Sequence, residues 1–220
     1  MTDLYCISGM GVDYRLFENL DLPGCKLHFI SWKTPLSGET LPDYAMRLSE
    51  AIDSSRPFAL LGVSFGGMCC TEIAKHLKPV RTFIISSCKR NDELPSMIRI
   101  WRFVPLHRIL NNKILISGAM LLKGKFGVRT KETGKLFNDM LRSAPDHYYR
   151  GAIDCIVRWK NTEVPQNLIH IHGDADRLIP LRHIKCDHII KGGTHFMVMD
   201  RAEEISKIIN RELSPIAELS

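Results

Sequence analysis

The run FALLGVSFGG, residues 58 to 67, constrains this 220-residue chain more than any other stretch. Six nearly continuous apolar positions, 58 to 63, predict a strand covered on both faces, as in the centre of a parallel sheet. Glycines then crowd around Ser64 before a helical pattern begins in GMCCTEIAKHL, residues 67 to 77. Gly62-Val63-Ser64-Phe65-Gly66 fits G-x-S-x-G, and that spacing has a steric cause. A sharp strand-to-helix turn forces the serine into a strained backbone conformation, and side chains two residues to either side would strike the neighbouring strand and helix. Glycine at 62 and 66 relieves both clashes. Ser64 is therefore a candidate nucleophile, with an ordinary glycine-rich turn as the alternative.

The rest of the chain alternates in the same way. LYCIS (4 to 8), KLHFI (26 to 30), VRTFIIS (80 to 86), NLIHIHG (167 to 173) and CDHIIKG (186 to 192) are β-rich, with helical patterns between several of them. VDYRLFENL has room for a short helix. TLPDYAMRLSEAI starts with Thr40 three residues before Asp43 and with Pro42 in the first turn, then sets Ala45, Leu48 and Ile52 at helical spacing. A last helix is expected over AEEISKIINREL, 202 to 213. This alternation predicts an α/β fold with a mostly parallel six- or seven-stranded sheet flanked by helices, in one domain over 1 to 220. After Ser87 the rhythm breaks. Residues 89 to 160 hold long helical patterns, LPSMIRIWRFVPLHRIL among them, and no strand, which predicts a helical cap inserted into the domain. KGKFG, 123 to 127, is the expected flexible joint within it.

Charge follows the same division. The cap contains fifteen Lys or Arg against six Asp or Glu, and the remainder fifteen against eighteen, so the cap carries all of the net charge of +6. Such an excess suits an acidic substrate or an anionic surface, or merely a solvated face. With 45% hydrophobic and 25% charged residues the chain is an ordinary globular one. No apolar run approaches the ~20 residues of a membrane span. MTDLYCISGMG lacks the features of a secretory signal, so a cytoplasmic location is expected. The cysteines at 6, 25, 69, 70, 88, 155 and 186 are odd in number and unpaired in spacing, which predicts reduced thiols rather than a metal or redox site.

With the elbow, GDAD (173 to 176) after a strand and GGTHF (192 to 196) before the last helix, the chain resembles the α/β-hydrolase family over nearly its whole length apart from the cap. The family order of Ser, acid, His is matched by Ser64, Asp176 and His195. A serine hydroxyl needs an imidazole to take its proton, and the imidazole needs a carboxylate to fix its tautomer. Asp174, two residues upstream, competes with Asp176 for the acid role. Thr194 separates glycine from histidine, a departure from the family's G-H-F segment. SGMG (8 to 11) is similar to the family's H-G-x-G, with Ser8 in place of histidine. The resemblance implies an oxyanion hole from the Met10 and Phe65 amides, their side chains shaping an acyl pocket. It also implies that the sheet begins at the strand bearing this loop. His170 and His172 alternate along one strand and read as packed or surface residues, with His172 approaching the site from the strand's end as the alternative.

The expected function is hydrolysis of a small ester or thioester by a Ser-His-Asp triad, with no cofactor and no metal. Trp101, Arg102 and Phe103 of the cap are candidate substrate-binding residues, at the mouth of a pocket suited to an anionic substrate; core packing in the lid is the alternative. Other readings are a C–C lyase or synthase using the triad as a base, and a non-catalytic ligand-binding protein. No nucleic acid and no stable membrane insertion are expected. A peripheral membrane contact through the basic, aromatic cap surface is a further reading, and a homodimer is left open.

Overall fold

The computed structural model describes residues 1 to 217. In chain order it contains β1 (Thr2–Ile7), a 3-10 turn (Tyr14–Phe17), β2 (Cys25–Phe29), α1 (Leu41–Ser49), β3 (Phe58–Val63), α2 (Phe65–Leu77) and β4 (Arg81–Ile85). A helical region follows, with α3 (Ser96–Arg99), α4 (Asn112–Leu121), α5 (Lys123–Phe126), α6 (Lys131–Ser143) and α7 (Tyr148–Arg158). The sheet resumes with β5 (Leu168–Gly173) and β6 (His188–Ile190), and the chain continues through α8 (Met197–Asp200) and α9 (Ala202–Ala217).

The six strands are ordered β2-β1-β3-β4-β5-β6, and every neighbouring pair is parallel. The fold is therefore the expected α/β one, with six strands. Every residue of β3 is buried, as its apolar run requires; each Leu or Phe so buried contributes about 1.5–3 kcal/mol. Thr40 caps α1 by accepting the Asp43 amide at 3.3 Å, and α9 buries Ile205, Ile209 and Leu213 at four-residue spacing.

Because all strands run the same way, their carboxyl ends lie on one edge of the sheet. The loops after β1, β3, β4, β5 and β6 emerge together there, which is where open α/β sheets bind ligands. β4 and β5 are direct neighbours, with Thr82 opposite Leu168 and Ile85 opposite Ile171. The helical region thus leaves and re-enters the sheet at adjacent positions.

Two expectations for this region are corrected. LPSMIRIWRFVPLHRIL is not one long helix but α3 followed by two single 3-10 turns, Ile100–Arg102 and Leu106–Arg108. Pro105 lacks an amide proton and disfavours helical geometry at the residue before it, which interrupts the pattern. KGKFG is not a free joint either. It forms α5, ends at Gly127 with φ 89° and is docked onto the loop carrying His195. The Phe196 amide donates to the Phe126 carbonyl at 2.9 Å. The far end of the region is tied to the sheet side, where Trp159 Nε1 donates to Glu72 Oε1 at 2.6 Å and Lys75 Nζ lies 2.5 Å from Glu72 Oε2.

Candidate active site

Ser64 stands between β3 and α2 with φ 53° and ψ −119°. A non-glycine residue held there costs of order 1–3 kcal/mol and persists only where its surroundings over-determine it. They do so here. The Ser64 amide donates to the Ile85 carbonyl at 2.9 Å, while its own carbonyl accepts from the Gly67 and Met68 amides and from Ser87 Oγ at 2.6 Å. A Cβ on Gly62 would lie 2.5 Å from the Gly66 carbonyl oxygen, and one on Gly66 would overlap the Ile7 and Ser8 carbonyl oxygens. Both elbow glycines thus have the steric cause inferred from spacing.

His195 and Asp176 arrive from the loops after β6 and β5. His195 Nε2 is 2.9 Å from Ser64 Oγ, and its Nδ1 is 2.8 Å from Asp176 Oδ2. Both His195 and Asp176 are buried. The other carboxylate oxygen of Asp176 accepts the Leu178 and Ile179 amides, each at 2.8 Å. Burial opposes the charge of Asp176, but His195 and these hydrogen bonds outweigh it and hold the carboxyl below its ordinary value. Asp174 makes a different contact. It is exposed, and its Oδ1 accepts the Gly192 amide at 2.6 Å, fastening the two loops together.

Behind Asp176 stands a pair of histidines with more order than a packed or surface reading implied. His172 Nε2 donates to the Ile179 carbonyl at 2.8 Å and lies 3.6 Å from Asp176 Oδ2, while its Nδ1 is 3.3 Å from His170 Nε2. Burial pushes the pKa of both imidazoles down, well down for His170. Neutral rings in this arrangement brace the 176 to 179 turn without competing with His195 for the carboxylate's charge. Their alternation along β5 was the only sequence signal for this role.

The loop after β1 is held at three points. Ser8 Oγ donates to the Val12 carbonyl at 2.6 Å, and Trp32 Nε1 donates to the Gly9 and Val12 carbonyls at 3.1 and 3.0 Å. Tyr149 of α7 fills the space against Gly11, where φ is 74° and a Cβ would collide with its ring. Met10 lies within this loop and Phe65 opens α2. Their amides make no hydrogen bond to another part of the chain among the described residues. The Phe65 side chain is buried, stacked on Trp32 at 5.2 Å and on Tyr44 at 5.9 Å, so it supports the loop from beneath. Trp32 was not identified from sequence, since nothing in SWKTP marks a donor to a distant loop.

From the helical region, Phe126 meets His195 edge-on at 5.7 Å, and a Cβ on Gly127 would overlap Thr194. Trp101, Arg102 and Phe103, expected at the substrate mouth, lie in and just after the 3-10 turn that follows α3. Trp101 stacks on buried His107 at 5.8 Å, whose Nε2 is 3.1 Å from Asp154 of α7. Asp154 also takes Arg108 and Arg158. This anchoring, with the helix broken before Pro105, leaves Arg102 and Phe103 exposed; among the described residues none of the three is bonded to the Ser64 group.

A cavity of about 670 Å³ flanks the acid rather than the serine, lined in part by Lys125, Arg129, Asp176, Arg177, Arg182 and Thr194. A smaller one, about 380 Å³, lies against α6 and is lined by Lys131, Lys135 and Arg142. Among the described residues no cluster of His, Cys, Asp or Glu could hold a metal ion. Cys69 and Cys70 are fully buried in α2, and burial pushes both thiols up, away from the reactive thiolate.

Comparison with known proteins agrees with this architecture. No curated protein matches the sequence at a significant level. Among solved structures, a thermophilic esterase from Thermogutta terrifontis superposes with a TM-score of 0.73 at 14% identity, covering 98% of this chain and 90% of its own. ClbQ from the colibactin NRPS/PKS pathway gives 0.65 at 15% identity, with 100% and 99% covered. MenH from S. aureus gives 0.69 at 15%, with 97% and 94% covered. At such identities these likenesses speak for the fold. The sequence model of the alpha/beta hydrolase family matches residues 11–208, and the chain belongs to that family.

Proposed function

We propose that the protein is a serine hydrolase of carboxylic esters or thioesters, with Ser64 as nucleophile, His195 as general base and acid, and Asp176 as the carboxylate partner of the base. The carrying observation is the unbroken hydrogen-bonded path from Ser64 Oγ through both ring nitrogens of His195 to Asp176. Esterase activity in the Thermogutta neighbour is consistent with this chemistry.

In the proposed reaction Ser64 Oγ attacks the substrate carbonyl carbon as its proton passes to His195 Nε2. Negative charge then develops on the carbonyl oxygen, facing the Met10 and Phe65 amides. Such preorganised donors are worth about 10²–10³ in rate each. The tetrahedral intermediate collapses, and His195 returns the proton to the departing alkoxide or thiolate. Water, deprotonated by the same imidazole, attacks the acyl-serine; collapse regenerates Ser64 and frees the acid. Asp176 stays ionised throughout and holds the proton on Nδ1, so that Nε2 faces the serine.

A fluorophosphonate probe tests the assignment. Covalent labelling of the wild type and none of Ser64→Ala is the expected result, together with loss of p-nitrophenyl acetate turnover. Turnover in Ser64→Ala, or turnover in the wild type with no acyl-enzyme detectable by rapid-quench mass spectrometry, overturns the nucleophile role. A graded panel of p-nitrophenyl esters and acyl thioesters then separates the leaving groups.

A further inference from the structure

From Ser96 to Phe126 the chain is rich in Ile, Leu and Met, yet His107 is its sole buried side chain. α4, ILISGAML for most of its length, has no buried residue. Leu115, Ile116, Ala119 and Met120 of α4 are half-buried against the core, while the opposite face stays open although it too carries apolar side chains. Of the fifteen large apolar side chains exposed on the described residues, nine fall between Met97 and Leu122, so they are concentrated here rather than scattered. Phe103, Ile109 and Leu121 are 81%, 78% and 84% exposed. From Leu94 to Lys131 the chain holds eight Lys or Arg and no Asp or Glu.

We propose that this region is a docking surface for an anionic lipid bilayer, its apolar side chains entering the boundary between headgroups and acyl chains while its cations face lipid phosphates and carboxylates. Interfacial segments combine these two features: projecting Leu, Ile and Phe beside Lys and Arg. On α4, Lys113, Ile114, Ser117 and Leu121 recur at helical spacing and are all exposed, which sets cation and apolar side chains along one outward stripe.

Two other occupants fit less well. A second copy of the chain, joined about a two-fold axis, would bring this cationic surface against itself, with no carboxylate in the segment to relieve it. A folded acidic protein would meet the charge, but such partners seat projecting side chains in complementary pockets or offer anchors to pockets on this chain. Neither cavity described above is lined by an apolar residue of 97 to 122. Fluid hydrocarbon needs no such match, because it conforms to whatever side chain enters. The proposal is independent of the reaction assigned to Ser64.

Co-sedimentation of the full chain with vesicles tests it. On vesicles of phosphatidylcholine with roughly one-third phosphatidylserine, partitioning at low salt is expected to exceed that on pure phosphatidylcholine by at least about tenfold, and to fall steeply as salt shortens the range of surface charge. Ile109→Glu with Leu121→Glu should lower partitioning about tenfold or more with unchanged p-nitrophenyl acetate turnover. Arg99→Glu with Lys113→Glu should remove the preference for anionic lipid. Absence of the wild type from both vesicle types, or equal partitioning onto both, overturns the proposal without reference to any variant. A concentration-dependent dimer in sedimentation velocity that Ile109→Glu with Leu121→Glu dissociates also overturns it, and assigns the surface to self-association.

Discussion

The loops at the carboxyl edge of the sheet and the segment from 96 to 126 are built to opposite standards. At the edge, each of Ser64, Asp176 and His195 is held by several independent contacts, and a single added methyl group at Gly66 meets backbone on arrival. In the segment, an added methyl at Gly118 or Gly124 meets nothing within 4 Å. At the elbow backbone is packed against backbone; the outer face of the segment is open. The contrast teaches where the fold stores precision: in the short loops that join strands to helices, supported from behind by Trp32, Tyr149, His170 and His172, rather than in the helices laid over them.

That contrast can be broken or sharpened experimentally. The largest effect is expected from Asp176→Asn, which leaves shape intact but removes the charge that orients His195; ester turnover should fall on the order of 10⁴-fold. Asp174→Asn should change turnover by no more than about threefold, since that carboxylate only ties the loop to the Gly192 amide. Equal losses in the two variants would erase the distinction between them. Gly66→Ala should destabilise the protein by more than about 4 kcal/mol in urea unfolding, or prevent folding, because the new methyl group overlaps rigid backbone.

Acid should act on the edge next. The folded-state pKa values of His170 and His172 lie below the ordinary 6.5, so below that pH the unfolded chain binds protons that the folded chain refuses. Stability is thus fully present above about pH 6.5 and is lost as pH falls below it toward the folded-state values, more for His170 than for His172. The Asp176 contribution is lost in a separate, lower window, below the ordinary 3.8. Thermal unfolding of wild type and His170→Gln between pH 7.5 and 5, roughly the range over which unperturbed histidine titrates, checks this. An identical pH slope in the two would remove His170 from the account.

Smaller still, Trp32→Phe keeps the aromatic stack but deletes the donor to the Gly9 and Val12 carbonyls. It should lower kcat about tenfold through the neighbouring Met10 amide, with KM little changed. Last, Gly118→Ala should stabilise the protein by about 0.5–1 kcal/mol, since it lies inside α4 with open space around it. A loss of stability there would mean that the segment is packed after all.

The same contrast decides what was legible in the sequence. Strands and elbow glycines could be read because each is imposed locally, by short apolar β-rich runs or by collisions within a single turn, and Ser64, Asp176 and His195 through the likeness of their segments to the family's motifs. The bracing residues could not. Trp32 reaches its carbonyl partners across 20 and 23 residues, and Tyr149 reaches the Gly11 carbonyl across 138, at separations no periodicity records. The local structure around Trp101, Arg102 and Phe103 was hidden for a related reason. Their spacing suggested one long helix, but Pro105 interrupts it, and buried His107, paired with half-buried Asp154, ties the segment to α7. KGKFG looked flexible by composition, whereas its position is set by a carbonyl bonded to the Phe196 amide.

The adjacency of β4 and β5 has one more consequence. The chain departs after Ile85 and returns at Leu168 on the very next strand, and the Thr82 amide donates to the Asn167 carbonyl as directly as in any uninterrupted pair. The sheet therefore keeps no record of how many residues lie between. Within the interval, Phe126, Gly127 and Tyr149 touch the site loops, so it is the outer stretch from 96 to 122 that can be lengthened or exchanged while hydroxyl, imidazole and carboxylate stay in register. The serine, histidine and aspartate form a fixed instrument, and that outer stretch is its interchangeable attachment.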